Sequence, residues 1–506
     1  MRITWAGPSL HGALLVILTG CASVNPRADY ERVERHVAEA VGESALARPD
    51  DAEATQALVA ARLAGGLSAD EAVQVCLLNN PRVQSVLRGV GIARADLVQS
   101  GLFQNPSLSL LPLLPDGGGL SYFEVAIAQN IADLWLLPVR IRAAEGELER
   151  AILEIARQIS ATALDARAAY FSAVGLDRER DIANENRDVA NQLLDAALAR
   201  QRAGAGSSID VNLARSEFMQ TELVVRTASL AAFEARRRLA VFLGVNTPPD
   251  KLHLSDRLPD PPTWSLTLER LLALAEANRL DLQAASYIVD VAAARVRQEK
   301  LSVVSDVEIG VNMQRQQRGR RGDRQWLADT LWASAEAGAL TAPSLRPREK
   351  QPTDVIVGPT LSLELPVFDQ NQAQIAKAQF IYEQTVLNRA ALLLDVTQET
   401  RGAYQRARTA WDVANYYQGS FLPLLQENLE LSRTAYRAGK ISLLSVLEAQ
   451  KLLLASRGRY VESLRNAAVA VTDLENAIGA PFARVMSDAS LTTTQPASRP
   501  AREVQP

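Results

Sequence analysis

Histidine occurs three times in this chain of 506 residues, at His11, His36 and His253. None has a second ligand at metal-binding spacing, and none has an acid and a nucleophile at triad spacing. The serines lack the small-residue elbow that presents a nucleophile. With four Met and two Cys beside those histidines there is no ladder of soft ligands for copper or silver. These counts predict no catalytic residue, no resident metal and no cofactor. A net charge of −4, with no basic field, argues against nucleic acid as a partner. One thiol stands in a suggestive place. Cys21 follows Leu18-Thr19-Gly20, which closes the apolar run from Ala13 to Leu18 after the basic Arg2. The chemistry suited to that position is acylation.

Leu18-Thr19-Gly20-Cys21 resembles the lipobox of bacterial lipoproteins, which predicts a signal over 1–20 and a lipidated Cys21 at the mature N-terminus. The alternative is an ordinary secretory signal with an incidental cysteine. The run is too short to cross a bilayer as a helix, which takes roughly 20 apolar residues. No other stretch reaches that length, so any crossing must use strands.

The elements that position the remaining polar residues come in two copies. Arg202-Ala203-Gly204 and Arg437-Ala438-Gly439 stand 235 residues apart (439 − 204), and Ser207 and Ser442, Val211 and Val446, Ala214 and Ala449 keep that offset. In each copy the glycine supplies the backbone freedom for a helix to turn back, and the serine is placed to cap the returning helix. Earlier, Leu67–Gln84 aligns with Leu266–Gln283 at an offset of 199 (278 − 79). The growing offset means an insertion in the second copy, assigned to the Arg-, Gly- and Pro-rich stretch Gln314–Pro352, read as a long exposed loop. The predicted organisation is 1–20 signal, 21–66 N-terminal segment, 67–263 first repeat, 264–482 second repeat and 483–506 disordered tail. Within 21–66, the stretch Tyr30–Val41 is expected to be helical.

Each copy reads as helix, strand pair, very long helix, turn, long helix. Period-two alternation marks strands at Pro106–Leu110, Phe123–Ile127, Ser305–Met313 and Thr360–Leu365. Helix Pro81–Ser100 precedes the first pair. From Pro138 to Gln201 nothing breaks a helix. On its returning partner Val211, Ala214, Phe218, Thr221, Val225, Ala228, Ala232, Ala235, Leu239 and Phe242 recur at steps of three and four, a coiled-coil seam. The second copy repeats it from Val446 to Ala477. Alternating strands without a transmembrane helix fit a barrel wall, apolar outside and polar inside. Four strands cannot close, and open edges are forbidden in lipid, so closure needs other subunits. Three copies would supply 12 strands. The expected fold is therefore mainly α: duplicated long hairpins forming a trimeric α-barrel, with four strands per chain in a shared membrane β-barrel. A plain soluble bundle of helical hairpins is the alternative.

With its duplicated plan, its paired turns and the repeat ends Leu243–Asn246 and Ile478–Pro481, the chain resembles the outer-membrane factor family of TolC-like channels, in its lipoprotein branch. The resemblance covers about Leu67 to Pro481. It implies a lipid-anchored homotrimer in the outer membrane with a long periplasmic extension. It also implies docking of the hairpin tips (Gly204, Ser207, Gly439, Ser442) onto a periplasmic adaptor served by an inner-membrane pump. The implied function is passive export of drug-like or metal cargo. Type I protein secretion is a second reading, and a structural coiled-coil lipoprotein a third. The resemblance further implies a periplasmic gate, in which Tyr436 hydrogen-bonds Asp210 and the ring positions Ser445 and Glu448 line the closed aperture. Ile441 stands where the family has an Arg that latches neighbouring subunits, with Lys440 beside it, which puts that latch in doubt.

Overall fold

Alanine, leucine, glutamate and arginine are strong helix formers, and where they dominate the chain the computed structural model is helical. It describes residues 23–44, 46–47, 52–113, 122–204, 206–260, 266–317, 324–325, 327–342, 345–346, 353–438 and 440–486. Cys21 with its signal, and Gly439, lie outside the described residues. In chain order the elements are α1 (Arg27–Val41), α2 (Ala52–Gly65), α3 (Ala69–Asn79), α4 (Pro81–Ser100), β1 (Ser107–Leu113), β2 (Tyr122–Asn130), α5 (Asp133–Arg202), α6 (Ser208–Leu243), α7 (Leu268–Asn278) and α8 (Leu280–Leu301). The second half continues with β3 (Val307–Gln317), β4 (Arg324–Gln325), α9 (Leu327–Ala337), β5 (Leu345–Arg346), β6 (Thr353–Leu363), α10 (Gln372–Tyr416), a π-helical turn (Tyr417–Phe421), α11 (Leu422–Arg437) and α12 (Leu443–Ile478). Two compact units result: Met1–Leu97, Glu145–Asp290 and Glu383–Pro506 form one, Val98–Ala144 and Val291–Tyr382 the other. Each draws on both repeats.

Helix α5 runs for 70 residues, about 105 Å at ~1.5 Å per residue. It begins at Asp133, five residues before the expected Pro138, which lies inside it. Pro138 removes one hydrogen bond, near a terminus where the first N–H groups have no helical acceptor anyway. On α6 every seam residue from Val211 to Phe242 is buried or half-buried, and the same holds for the ten seam positions on α12. The second outgoing helix is not continuous. Pro423 cannot donate and its ring crowds the carbonyl four residues back, and the chain widens into the π turn just before it, with Tyr416 and Phe421 stacked at 6.2 Å.

Both repeats close in the same way. At the end of α6, Gly244 adopts φ +66°, and a Cβ there would stand 2.7 Å from the Asn79 carbonyl oxygen. Asn79 Nδ2 donates to the Leu243 and Gly244 carbonyls at 3.0 and 2.9 Å, and Asn80 Nδ2 to Phe242 at 2.8 Å. At the end of α12, Gly479 (φ +68°) meets Asn278 in the same manner. There Arg279 donates to the Ala477 carbonyl at 3.3 Å, pairs with Asp281 at 2.6 and 2.9 Å, and reaches Glu399 at 2.8 Å. The residues that align at offsets of 199 and 235 are thus the two sides of one junction. Arg167 bridges Glu475 at 2.9 Å and Asp70 at 3.1 Å beneath it. The linker between repeats is pinned to the start of the first: Tyr170, fully buried, donates to the Leu67 carbonyl at 2.7 Å and accepts from the Asp256 N–H at 3.1 Å. Helix α1 forms as expected and buries Val33 and Val37 against Val73, Leu77, Val83 and Ile152, while Arg94 clasps the buried Asp29 in a bidentate pair at 2.6 Å.

The four expected strands form one antiparallel sheet in the order β1-β2-β3-β6. Two expectations need correction. Gln314–Pro352 is not simply a loop: β3 continues to Gln317, and beyond it lie the two-residue ladder β4–β5 and the 11-residue helix α9, whose Ala-rich stretch favours a helix. The tail does not begin at 483, because Phe482 and Val485 are buried with Leu271 and Leu474. Residues 487–506 lie outside the described part of the chain.

Candidate functional site

Register sorts the sheet's side chains into two faces. Leu110 pairs with Val125, Val125 with Met313 and Met313 with Val357; Leu108, Ile127, Val311 and Ile309 with Leu361 extend the same apolar row. The opposite face carries Ser109, Ala126, Asn312 and Gly358 in register, then Glu124 beside Gln314 and Glu308 beside Ser362. Asn312 donates to the Glu124 carboxylate, and the Tyr122 hydroxyl donates to it at 2.7 Å. Gly310 is there because a Cβ would stand 2.5 Å from the Ile127 carbonyl oxygen. The apolar face is exposed along its length, with Leu108, Ile127, Val311, Val357 and Leu361 each more than half accessible. Outer strands β1 and β6 each pair on one side within the chain. An exposed apolar face of this extent marks a surface that meets lipid or protein, and outer strands paired on one side can accept further strands. No helix among the described residues is long and apolar enough to cross a membrane.

The hairpin tips lie in the other unit. At the first, Gly204 takes φ +74° and Ser207 caps α6. The Ser207 hydroxyl accepts the Asp210 N–H at 3.1 Å, and the Asp210 carboxylate accepts the Ser207 N–H at 3.1 Å, a reciprocal capping box. Those two Ser207 bonds, aided by the charge of Arg200, hold the Asp210 carboxyl below its ordinary range. At the second tip Ser442 occupies the cap position of α12 but makes no capping bond; its hydroxyl meets that of Ser445 at 3.3 Å. The cause is one substitution between repeats. Ser445 takes the place of Asp210, so no carboxylate is available to return the bond.

Tyr436 turns to a different partner from the one the resemblance implied. Arg200, two residues before the first turn motif, donates from its guanidinium to the Tyr436 hydroxyl, and its Cζ lies 5.7 Å from the centre of the Tyr436 ring. Arg200 therefore faces both Tyr436 and Asp210, and Asp210 is engaged by its own cap. Tyr436 and Ile441 pack against the buried Leu425, Leu429, Val446 and Leu453, so the Ile at the latch position serves an apolar cluster. Glu448 and Ser445 are exposed, one turn apart on the same helix. Lys451 pairs with Glu217 at 3.0 Å, a second tie between the two hairpins. Sequence reading missed Arg200, since a lone Arg on a helix gives no signal without its partner across the hairpins. Among the described residues no group of His, Cys, Asp or Glu could hold a metal.

The outer membrane efflux protein family model matches residues 271–480. The cobalt-zinc-cadmium resistance protein CzcC of Cupriavidus metallidurans is 22% identical over 448 residues, which cover 86% of this chain and 95% of that protein. Two solved structures share the fold. CusC, described as undergoing transmembrane channel formation, aligns with a TM-score of 0.62 and 16% identity over 81% of this chain and 91% of its own. The outer membrane protein VceC of Vibrio cholerae aligns with a TM-score of 0.60 and 16% identity over 82% and 96%.

Proposed function

We infer the function from one premise: this chain is a TolC-like member of the outer membrane efflux protein family, a family of channels and not of enzymes. On that premise it is the outer-membrane exit duct of a tripartite efflux system, conducting passively what an inner-membrane pump and a periplasmic adaptor deliver. Three copies close a barrel of 12 strands, with the apolar face in lipid and the polar face around the pore.

The observation that carries this reading is the four-stranded sheet itself, apolar and exposed on one face, more polar on the other despite Leu111, Leu113 and Ile356, and paired on only one side at each outer strand among the described residues. In water such a sheet exposes far too much apolar surface, and in lipid its edges must be paired. Symmetric closure with further copies meets both demands. The likeness to CzcC supports divalent cations among the cargo. So does the polar face, where the described side chains include the carboxylates of Glu124 and Glu308 and no basic group.

Purified protein in planar bilayers should form discrete, cation-preferring pores. A deletion strain should become sensitive to cobalt, zinc or cadmium salts. A protein that inserts without conducting would defeat the channel reading, and a strain unchanged towards metals but sensitive to drugs would move the cargo to organic molecules.

A further inference from the structure

Glu124 is a carboxylate held in place without being neutralised. On the polar face of the sheet the Tyr122 hydroxyl donates to one of its oxygens at 2.7 Å, and the Asn312 amide of β3 donates to the other. Both donors are neutral, so they fix the side chain and leave its charge in place. Asp29, Asp133 and Asp177, by contrast, are met by Arg94, Arg140 and Arg236. The row that Glu124 occupies runs Leu111, Glu124, Gln314 and Ile356 across the four strands, with no cation in it to offset the charge.

The surroundings leave room for a hydrated ion. In the next row Asn312 stands between Ala126 and Gly358, which offer one methyl group and no side chain, and nothing lies within 4 Å of a Cβ on Gly358. Asn312 Oδ1 is shielded and has no hydrogen-bond partner among the described residues, an acceptor that water carried by an ion would satisfy. Glu124 is the third residue of β2, whose far end leads into α5, so it lies towards the end of the sheet away from the helices. Glu308, a second carboxylate of this face, lies at the opposite end against Asn130 and Ser362. No hydrogen bond or ion pair among the described residues fixes Glu308.

Resting on the channel reading above, we propose that Glu124 sets the preference of the pore's outer end for hydrated cations. Threefold closure puts three of these carboxylates at one level of the pore wall. Each oxygen already accepts one bond, so two of the about four places on a carboxylate are taken. The site therefore attracts a cation through its water shell and does not chelate it. An exit duct needs that weakness, because an ion must leave as readily as it enters.

With the full-length protein in planar bilayers under a KCl gradient, the reversal potential gives the permeability of potassium relative to chloride. Glu124→Gln, which keeps an acceptor for Asn312, should lower that ratio about threefold in ~0.01 M salt, where the Debye length is about 30 Å. At ~1 M salt, where it is about 3 Å, the same variant should change little. Glu124→Asp keeps the charge and should keep most of the ratio, and Glu308→Gln should cost less than Glu124→Gln. Should Glu124→Gln fail to insert, Glu124→Ala should show the same loss. An unchanged ratio in the variant that removes the charge would overturn the proposal, as would a wild type without cation preference. So would an equal loss in Glu124→Asp, which would mean shape and not charge, or in Glu308→Gln, which would spread the preference along the wall. Conductance separates the two readings: absent wild-type pores discredit the channel, whereas pores whose ion preference ignores Glu124 discredit only this assignment.

Discussion

Arg200 has Asp210 beside it in its own hairpin and Tyr436 across in the other, and that makes its removal informative. Arg200→Gln deletes the charge over the Tyr436 ring and weakens the bond to its hydroxyl, while Tyr436→Phe deletes the bond and keeps the ring packed on Leu425 and Leu429. If this contact holds the tips together, both variants should raise single-channel conductance. The double variant should add little to Arg200→Gln alone, since coupled partners are not additive. Unchanged conductance in all three would show the contact to be incidental. A different residue sets acid sensitivity. Burial alone would raise the Asp281 carboxyl, but the Arg279 hydrogen bonds and charge outweigh it and hold it below its ordinary range. A depressed pKa means the stabilisation is complete above the unfolded value of about 3.9 and is lost as pH falls through the native value. Asp281→Asn should therefore cost about 1.5–3 kcal/mol at neutral pH, the worth of hydrogen bonds to a charged group. Thermal unfolding should show that difference shrinking below about pH 4.

At the scale of elements, the glycines that end helices are not equivalent. Gly204 and Gly244 share a left-handed backbone, so an alanine at either meets about 1–2 kcal/mol of conformational strain. Nothing lies within 4 Å of a Cβ on Gly204, whereas one on Gly244 would press to 2.7 Å on the Asn79 carbonyl. Gly244→Ala should thus lower the melting temperature more than Gly204→Ala, and equal losses would mean the repeat junction yields freely. The element pair α5–α6 was legible because a three-four seam sustained over ten positions suits two helices wound together and little else. The π turn before α11 was not, because the response to Pro423 depends on whether the neighbouring helix lets the coil widen or forces a kink.

At the scale of the whole molecule, the proposed assembly calls for further copies of this chain. Edges on β1 and β6 that no described residue pairs make the isolated subunit unsuited to a bilayer, so crosslinking in detergent should trap a trimer, and a stable pore-forming monomer would refute that assembly. A closed barrel should hold the protein in the membrane even without the lipid. Cys21→Ser is expected to abolish palmitate labelling while leaving trimers in the outer membrane; a variant that still labels would place the lipid elsewhere.

Local physics accounts for what could be read without the fold. Alternation with period two, a three-four seam, a glycine after the last helical turn and a serine before the next are each settled by a residue's nearest chain neighbours. Hence four strands, both hairpins and the cap at Ser207 were all visible in order. The duplication also offered Leu243–Asn246 and Ile478–Pro481 as repeat ends, without saying what they touch. That they clasp Asn79 and Asn278 was decided by packing between segments more than 150 residues apart. So were the partner of Tyr436 and the burial of Val485. Each of these turns on which of several chemically adequate partners arrives first across space. A sequence fixes the candidates for such contacts, and only the tertiary arrangement chooses among them, because burial and hydrogen bonding reward the geometry of a pair and not the identity of either member.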